Sequence, residues 1–152
     1  MRSQSSKTFL VAAVVLALFG TLGVASNKKG LNGTWKLVPT RSEFAGEPVI
    51  QTGTVTINNR EHNIYISRGF TLDGEKQSVT YNFTTDAREN SSIKEGKTFK
   101  SKAKWDDDVL KVTTDADGVV STERYRLNPD GTMTLAVDRP GHQPVTLVFE
   151  RQ

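Results

Sequence analysis

The residues best placed to do chemistry stand in the run Val119-Val120-Ser121-Thr122-Glu123-Arg124-Tyr125-Arg126-Leu127. Counting by two from Tyr125 and Leu127 puts Ser121 and Glu123 on the same face of a β-strand. A carboxylate on the inward face must be paired or solvated, because an isolated buried charge is costly. In a hollow it would orient a polar or cationic group of a ligand, with the hydroxyls of Tyr81, Tyr125 and Ser101 as partners. The plainer alternative leaves Glu123 at the wet mouth of the fold, or turns it outward through a bulge. General acid–base catalysis needs a second placed group, and the sequence offers Glu123 no evident companion.

Other constellations are weaker. His62 and His142, the two histidines, fall in separate turn regions without a metal-ligand spacing. Asp106-Asp107-Asp108 with Asp115 and Asp117 invites a calcium reading, since hard cations want several oxygens. Asp115-Ala116-Asp117-Gly118, however, sets its glycine too early for an EF-hand loop, and two hairpin turns account for these acids more simply. No Gly-x-Ser-x-Gly elbow, Walker loop or dinucleotide fingerprint occurs. The expectation is a protein that is not an enzyme, with no metal and no cofactor.

The elements that must carry these residues are strands. Past residue 30, short runs rich in Val, Ile, Thr, Tyr and Phe alternate apolar with polar residues. Nine strands are predicted: Thr34–Val38, Gly53–Asn58, Asn63–Arg68, Gln77–Thr84, Lys97–Trp105, Val109–Thr114, Val119–Leu127, Thr132–Asp138 and Pro144–Arg151. Turn residues separate them, among them Asp73-Gly74, Asp117-Gly118 and Asp130-Gly131, pairs whose members tolerate positive φ. The segments 39–52 and 85–96 read as loops. One face of each strand is apolar and the other polar, as in a sheet with a single dry side. So many sequential hairpins would leave open edges unless the sheet closes. The reading is an all-β, antiparallel up-and-down barrel of about 8–9 strands. A β-sandwich is the alternative, disfavoured by the shortness of the connections.

The first 26 residues read differently. Arg2 and Lys7 precede an uncharged run from Phe9 to Gly23, and Val24-Ala25-Ser26 supplies small residues before polar Asn27. That is the pattern of a secretory signal-peptide helix, cleaved near Ser26. The run is short for a spanning helix, which needs roughly 20 apolar residues. The predicted domain is then 27–152, in the periplasm or outside the cell, meeting a membrane only during export. Removing residues 1–26 takes two of the 20 basic residues and none of the 17 acidic ones, leaving a formal charge near +1. With no basic stripe, nucleic acid is not an expected partner. No cysteine is present, so neither disulfides nor a thiol nucleophile enter the account.

Both ends of the mature stretch carry a family likeness. Leu31-Asn32-Gly33-Thr34-Trp35-Lys36-Leu37 contains the Gly-x-Trp that opens the first strand of lipocalins and fatty-acid-binding proteins. Pro39-Thr40-Arg41-Ser42-Glu43-Phe44, Lys104-Trp105-Asp106 and the terminal Val145-Thr146-Leu147-Val148-Phe149-Glu150-Arg151 extend it. Over most of residues 31–151 the chain resembles small exported bacterial lipocalin-like domains. It departs from fatty-acid-binding proteins in two respects. Residues 39–52 have no room for their helix–turn–helix lid, and their carboxylate-binding Arg-x-Tyr is replaced by Leu147 and Phe149. The resemblance implies that Trp35 plugs the closed end of a barrel. It also implies a non-catalytic module holding a small apolar or amphipathic ligand in the lumen. The expected lining is Ile57, Ile66, Tyr81, Phe99, Ser101, Leu110, Glu123, Tyr125, Leu135 and Leu147. The alternative is an envelope protein with a filled core, binding a protein or other macromolecular partner through the 39–52 and 85–96 loops.

Overall fold

The computed structural model describes residues 29–94 and 96–152. The expected signal peptide lies outside them. The described chain forms ten strands: β1 (Gly33–Leu37), β2 (Thr52–Arg60), β3 (Asn63–Leu72), β4 (Glu75–Thr84), β5 (Asn90–Lys94), β6 (Lys97–Asp106), β7 (Val109–Ala116), β8 (Val119–Leu127), β9 (Met133–Asp138) and β10 (Val145–Arg151). They make one antiparallel sheet in the order β4-β3-β2-β1-β10-β9-β8-β7-β6-β5. Pairing of β1 with both β2 and β10, Trp35 opposite Val55 and Arg151, joins the two ends of the chain. The result is an up-and-down barrel, nearly closed, and the sandwich alternative falls away.

Two expectations need correction. The strand count is ten, not 8–9, because the segment read as a loop at 85–96 contains β5, whose residues Asn90–Lys94 pair with Lys97–Ser101 of β6. In addition β3 runs on to Leu72, past the predicted end at Arg68. The 39–52 connection is a loop without a stable helix, as expected: a single 3-10 turn over Pro39–Arg41, then a bridge from Glu43 to Thr146 of β10.

The barrel is left open along one seam. Among the described residues no ladder joins β4 to β5. Beyond β4 the chain instead reaches across to β6, where Asp86 bridges Lys104 and the Ala87 N–H donates to the Ala103 carbonyl at 3.1 Å. The hairpins are set by their turn residues. At Asp73-Gly74 and Asp117-Gly118 both residues take positive φ, as the turn matching strand twist requires.

The closed end is solid. The Trp35 ring is fully buried, and its indole N–H donates to the Leu31 carbonyl at 2.9 Å. The Arg151 guanidinium lies over that ring, 4.3 Å from its centroid, and donates to the carbonyls of Asn32 and Gly30 at 2.6 Å each. This stack explains the glycine of Gly-x-Trp. Gly33 has φ of +130°, and a Cβ there would stand 2.6 Å from Arg151 Nη1. Around the plug, Val55, Ile57, Ile64, Ile66, Leu110 and Phe149 pack without exposure above 1%.

Candidate functional site

Moving from the plug toward the mouth, the inward face of β3 changes character. Ile64 and Ile66 are fully buried, and the next residues by period two are Arg68, Phe70 and Leu72. On β8 the same step takes Tyr125 to Glu123 and Ser121. The barrel brings these two strands to face each other across the lumen. Arg68 Nη1 donates to Glu123 Oε1 at 2.7 Å, with side chains only 11% and 17% exposed. Arg68 Nη2 donates to the Tyr81 hydroxyl at 2.8 Å, and the Tyr125 hydroxyl donates to Glu123 Oε2 at 2.9 Å. The guanidinium also lies over the Tyr81 ring, 5.1 Å from its centroid, and that ring stacks on Phe83.

The electrostatics hold this cluster in one protonation state. Burial works against the charge on Arg68, but the oxygens of Tyr125, Glu123 and Tyr81 outweigh it, so the guanidinium stays charged. Burial, reinforced by the adjacent Glu123 carboxylate, pushes the Tyr125 hydroxyl well above its ordinary value of 10.0. Tyr125 therefore remains a hydrogen-bond donor. One group is not satisfied: the buried Arg68 Nε–H has no hydrogen-bond partner among the described residues.

Two hollow spaces meet at this cluster. The mouth chamber, about 620 Å³, is walled by Arg68, Phe70, Leu72, Leu135, Val137 and Leu147, with Phe44, Pro48 and Ile50 of the β1–β2 connection at its rim. The seam chamber, about 720 Å³, runs between β4 and β5, walled by Tyr81, Phe83, Ile93, Phe99, Ser101 and Ala116 among others. Val79, Ser121 and Glu123 line both. At the rim, Glu47 forms an ion pair with Arg139 Nη2 at 3.2 Å and stands 2.6 Å from His142 Nδ1. The His142 hydrogen bond holds the Glu47 carboxyl below its ordinary value.

Of the ten expected lining residues, Tyr81, Phe99, Ser101, Glu123, Leu135 and Leu147 face these spaces. Ile57, Ile66, Leu110 and Tyr125 are in the packed half, and Tyr125 reaches the site only through its hydroxyl. Tyr81 and Tyr125 both join the Glu123 cluster, whereas Ser101 pairs with Thr114 at 3.1 Å instead. The missing companion of Glu123 is Arg68. Its signal was present in the alternation, since Arg68 continues Ile64 and Ile66 by the same step of two. No spacing rule links Glu47, in the β1–β2 connection, to Arg139 and His142, in the β9–β10 connection.

No protein-family model and no curated protein sequence matches the chain. Solved structures do. Secretory abundant heat soluble protein 4 from Ramazzottius varieornatus aligns over 82% of this chain and 96% of its own, with TM-score 0.63 and 12% identity. The REP1-NXSQ fatty acid transporter aligns over 80% and 96%, with TM-score 0.58 and 16% identity. The Schistosoma mansoni fatty-acid-binding protein, solved with arachidonic acid, aligns over 83% and 98%, again with TM-score 0.58 and 16% identity. At such identities the likeness is one of architecture. The chain has the lipocalin-like, calycin-type barrel fold.

Proposed function

We propose that this protein is a non-catalytic, exported carrier that holds one small apolar or amphipathic ligand in the mouth half of its barrel. The observation that carries the reading is a half-hollow lumen: a packed plug below, and above it an open, mainly apolar space of ligand size built around the Arg68–Glu123 cluster. Natural ligand sites span roughly 300–1,000 Å³ and place few polar groups in an apolar wall. The fatty-acid-binding neighbours support a small hydrophobic ligand. The hollow weighs against a scaffold with a filled core, and β5 removes much of the 85–96 loop on which a macromolecular partner would dock.

A catalytic role has little support in this chemistry. Glu123 is engaged by Arg68 and Tyr125, and Tyr125 keeps its proton, so neither serves as a free base.

An environment-sensitive apolar dye tests the reading. It is expected to bind saturably, one per chain, and to be displaced by amphiphiles. Val79→Trp sets a large ring at the junction of both chambers, and is expected to weaken dye binding by about tenfold or more with the fold retained. Equal binding by Val79→Trp and the wild type would place the dye elsewhere and count against the lumen.

A further inference from the structure

The charges facing the hollow are paired within the protein. In the mouth chamber Arg68 is matched by Glu123, and Arg139 by Glu47. In the seam chamber Glu123 is the one charged residue of the wall among the described residues, and the remaining polar groups there are uncharged hydroxyls and amides such as Ser101, Thr114 and Asn82. The lumen thus offers no net charge to a ligand. It does offer hydrogen bonds in both directions. The Tyr81 hydroxyl, accepting from Arg68 Nη2, still has an O–H to give, whereas the Arg68 Nε–H is too deeply buried to reach a ligand. Glu123 accepts one bond on each oxygen and has lone pairs to spare.

Resting on the carrier reading, we infer that the ligand is an uncharged amphiphile whose head both accepts and donates hydrogen bonds, an alcohol or a primary amide, rather than a free carboxylic acid. A carboxylate brought beside Arg68 would also stand beside Glu123. Its attraction to the first is offset by repulsion from the second, while the loss of its hydration goes uncompensated. An alcohol or amide loses far less hydration. Its oxygen accepts from the Tyr81 hydroxyl, and its own O–H or N–H donates to Glu123.

The test uses the intact protein at neutral pH with three probes sharing one tail: lauryl alcohol, lauramide and lauric acid, each titrated calorimetrically and by dye displacement. The alcohol and the amide are expected to bind at least about tenfold more tightly than the acid. Glu123→Gln keeps the shape but leaves Arg68 unneutralised, and is expected to move the ranking toward the acid by about tenfold or more. Lauric acid binding the wild type as tightly as the alcohol would overturn the inference and leave the carrier reading standing. An unchanged ranking in a folded Glu123→Gln protein would equally overturn it, since the pair would not set selectivity. If none of the three binds and none displaces the dye, the carrier reading fails and the inference falls with it.

Discussion

Arg68 and Glu123 lie 55 residues apart in sequence and meet in the lumen. Each is tolerable there only because of the other. A buried ion pair gains little over well-packed apolar residues, but breaking it strands a charge. Arg68→Met alone is therefore expected to cost about 3–5 kcal/mol in a urea titration, from the uncompensated Glu123. The double variant Arg68→Met/Glu123→Leu is expected to recover most of that loss. If the two single substitutions were simply additive, the pair would not be acting as a unit. At this scale the sequence was half legible. The inward direction of Glu123 follows from period two, and so does that of Arg68. What one-dimensional spacing does not contain is that β3 and β8 face each other across the lumen, because no ladder connects them and only barrel closure brings them together.

Most strands were readable because each carries a clean alternation, Met133, Leu135 and Val137 on β9 being an example. β5 was not, for a physical reason. Asn90-Ser91-Ser92-Ile93-Lys94 has a single apolar residue, Ile93, and it is 78% exposed on an edge strand. Such a strand is held by main-chain pairing to β6, which leaves no mark in side-chain hydrophobicity. The β8–β9 turn shows how connections are fastened. Asp130 accepts from the Thr132 hydroxyl at 2.6 Å and from Arg41 of the 3-10 turn at 3.0 Å. The Thr132 bond first, and then Arg41, pull its carboxyl down to about 2. The folded state therefore binds this proton less readily than the unfolded chain. Its stabilising contribution is complete above the ordinary value of 3.8 and is lost as pH falls toward about 2. Asp130→Asn is expected to flatten the acid limb of the stability profile in that window while leaving its slope at neutral pH unchanged. A parallel loss of stability with acid in both proteins would remove Asp130 from the account.

For the molecule as a whole, the sequence carried the architecture further than the function. Nine alternating runs joined by short turns pointed to a meander, and a meander with one dry face needs closure. Periodicity did not reveal where closure is incomplete. The seam between β4 and β5 follows from how the chain leaves Thr84 and crosses to β6, a long-range event without a local motif. Nor does alternation distinguish an inward side chain that packs from one that borders space. Ile66 and Leu135 belong to the same pattern, yet only Leu135 borders the mouth chamber. The difference lies in how far each stands from the Trp35 plug, and hence in the shape of the barrel.

In the proposed function the mouth half of this barrel holds a ligand. Native mass spectrometry of the protein purified from its own host cell tests it most directly, by comparing native with denatured mass. A ligand-holding lumen gives a reproducible adduct of a few hundred daltons, lost on denaturation and absent from Val79→Trp. A bare native mass, with no thermal shift against a panel of uncharged amphiphiles, would contradict it.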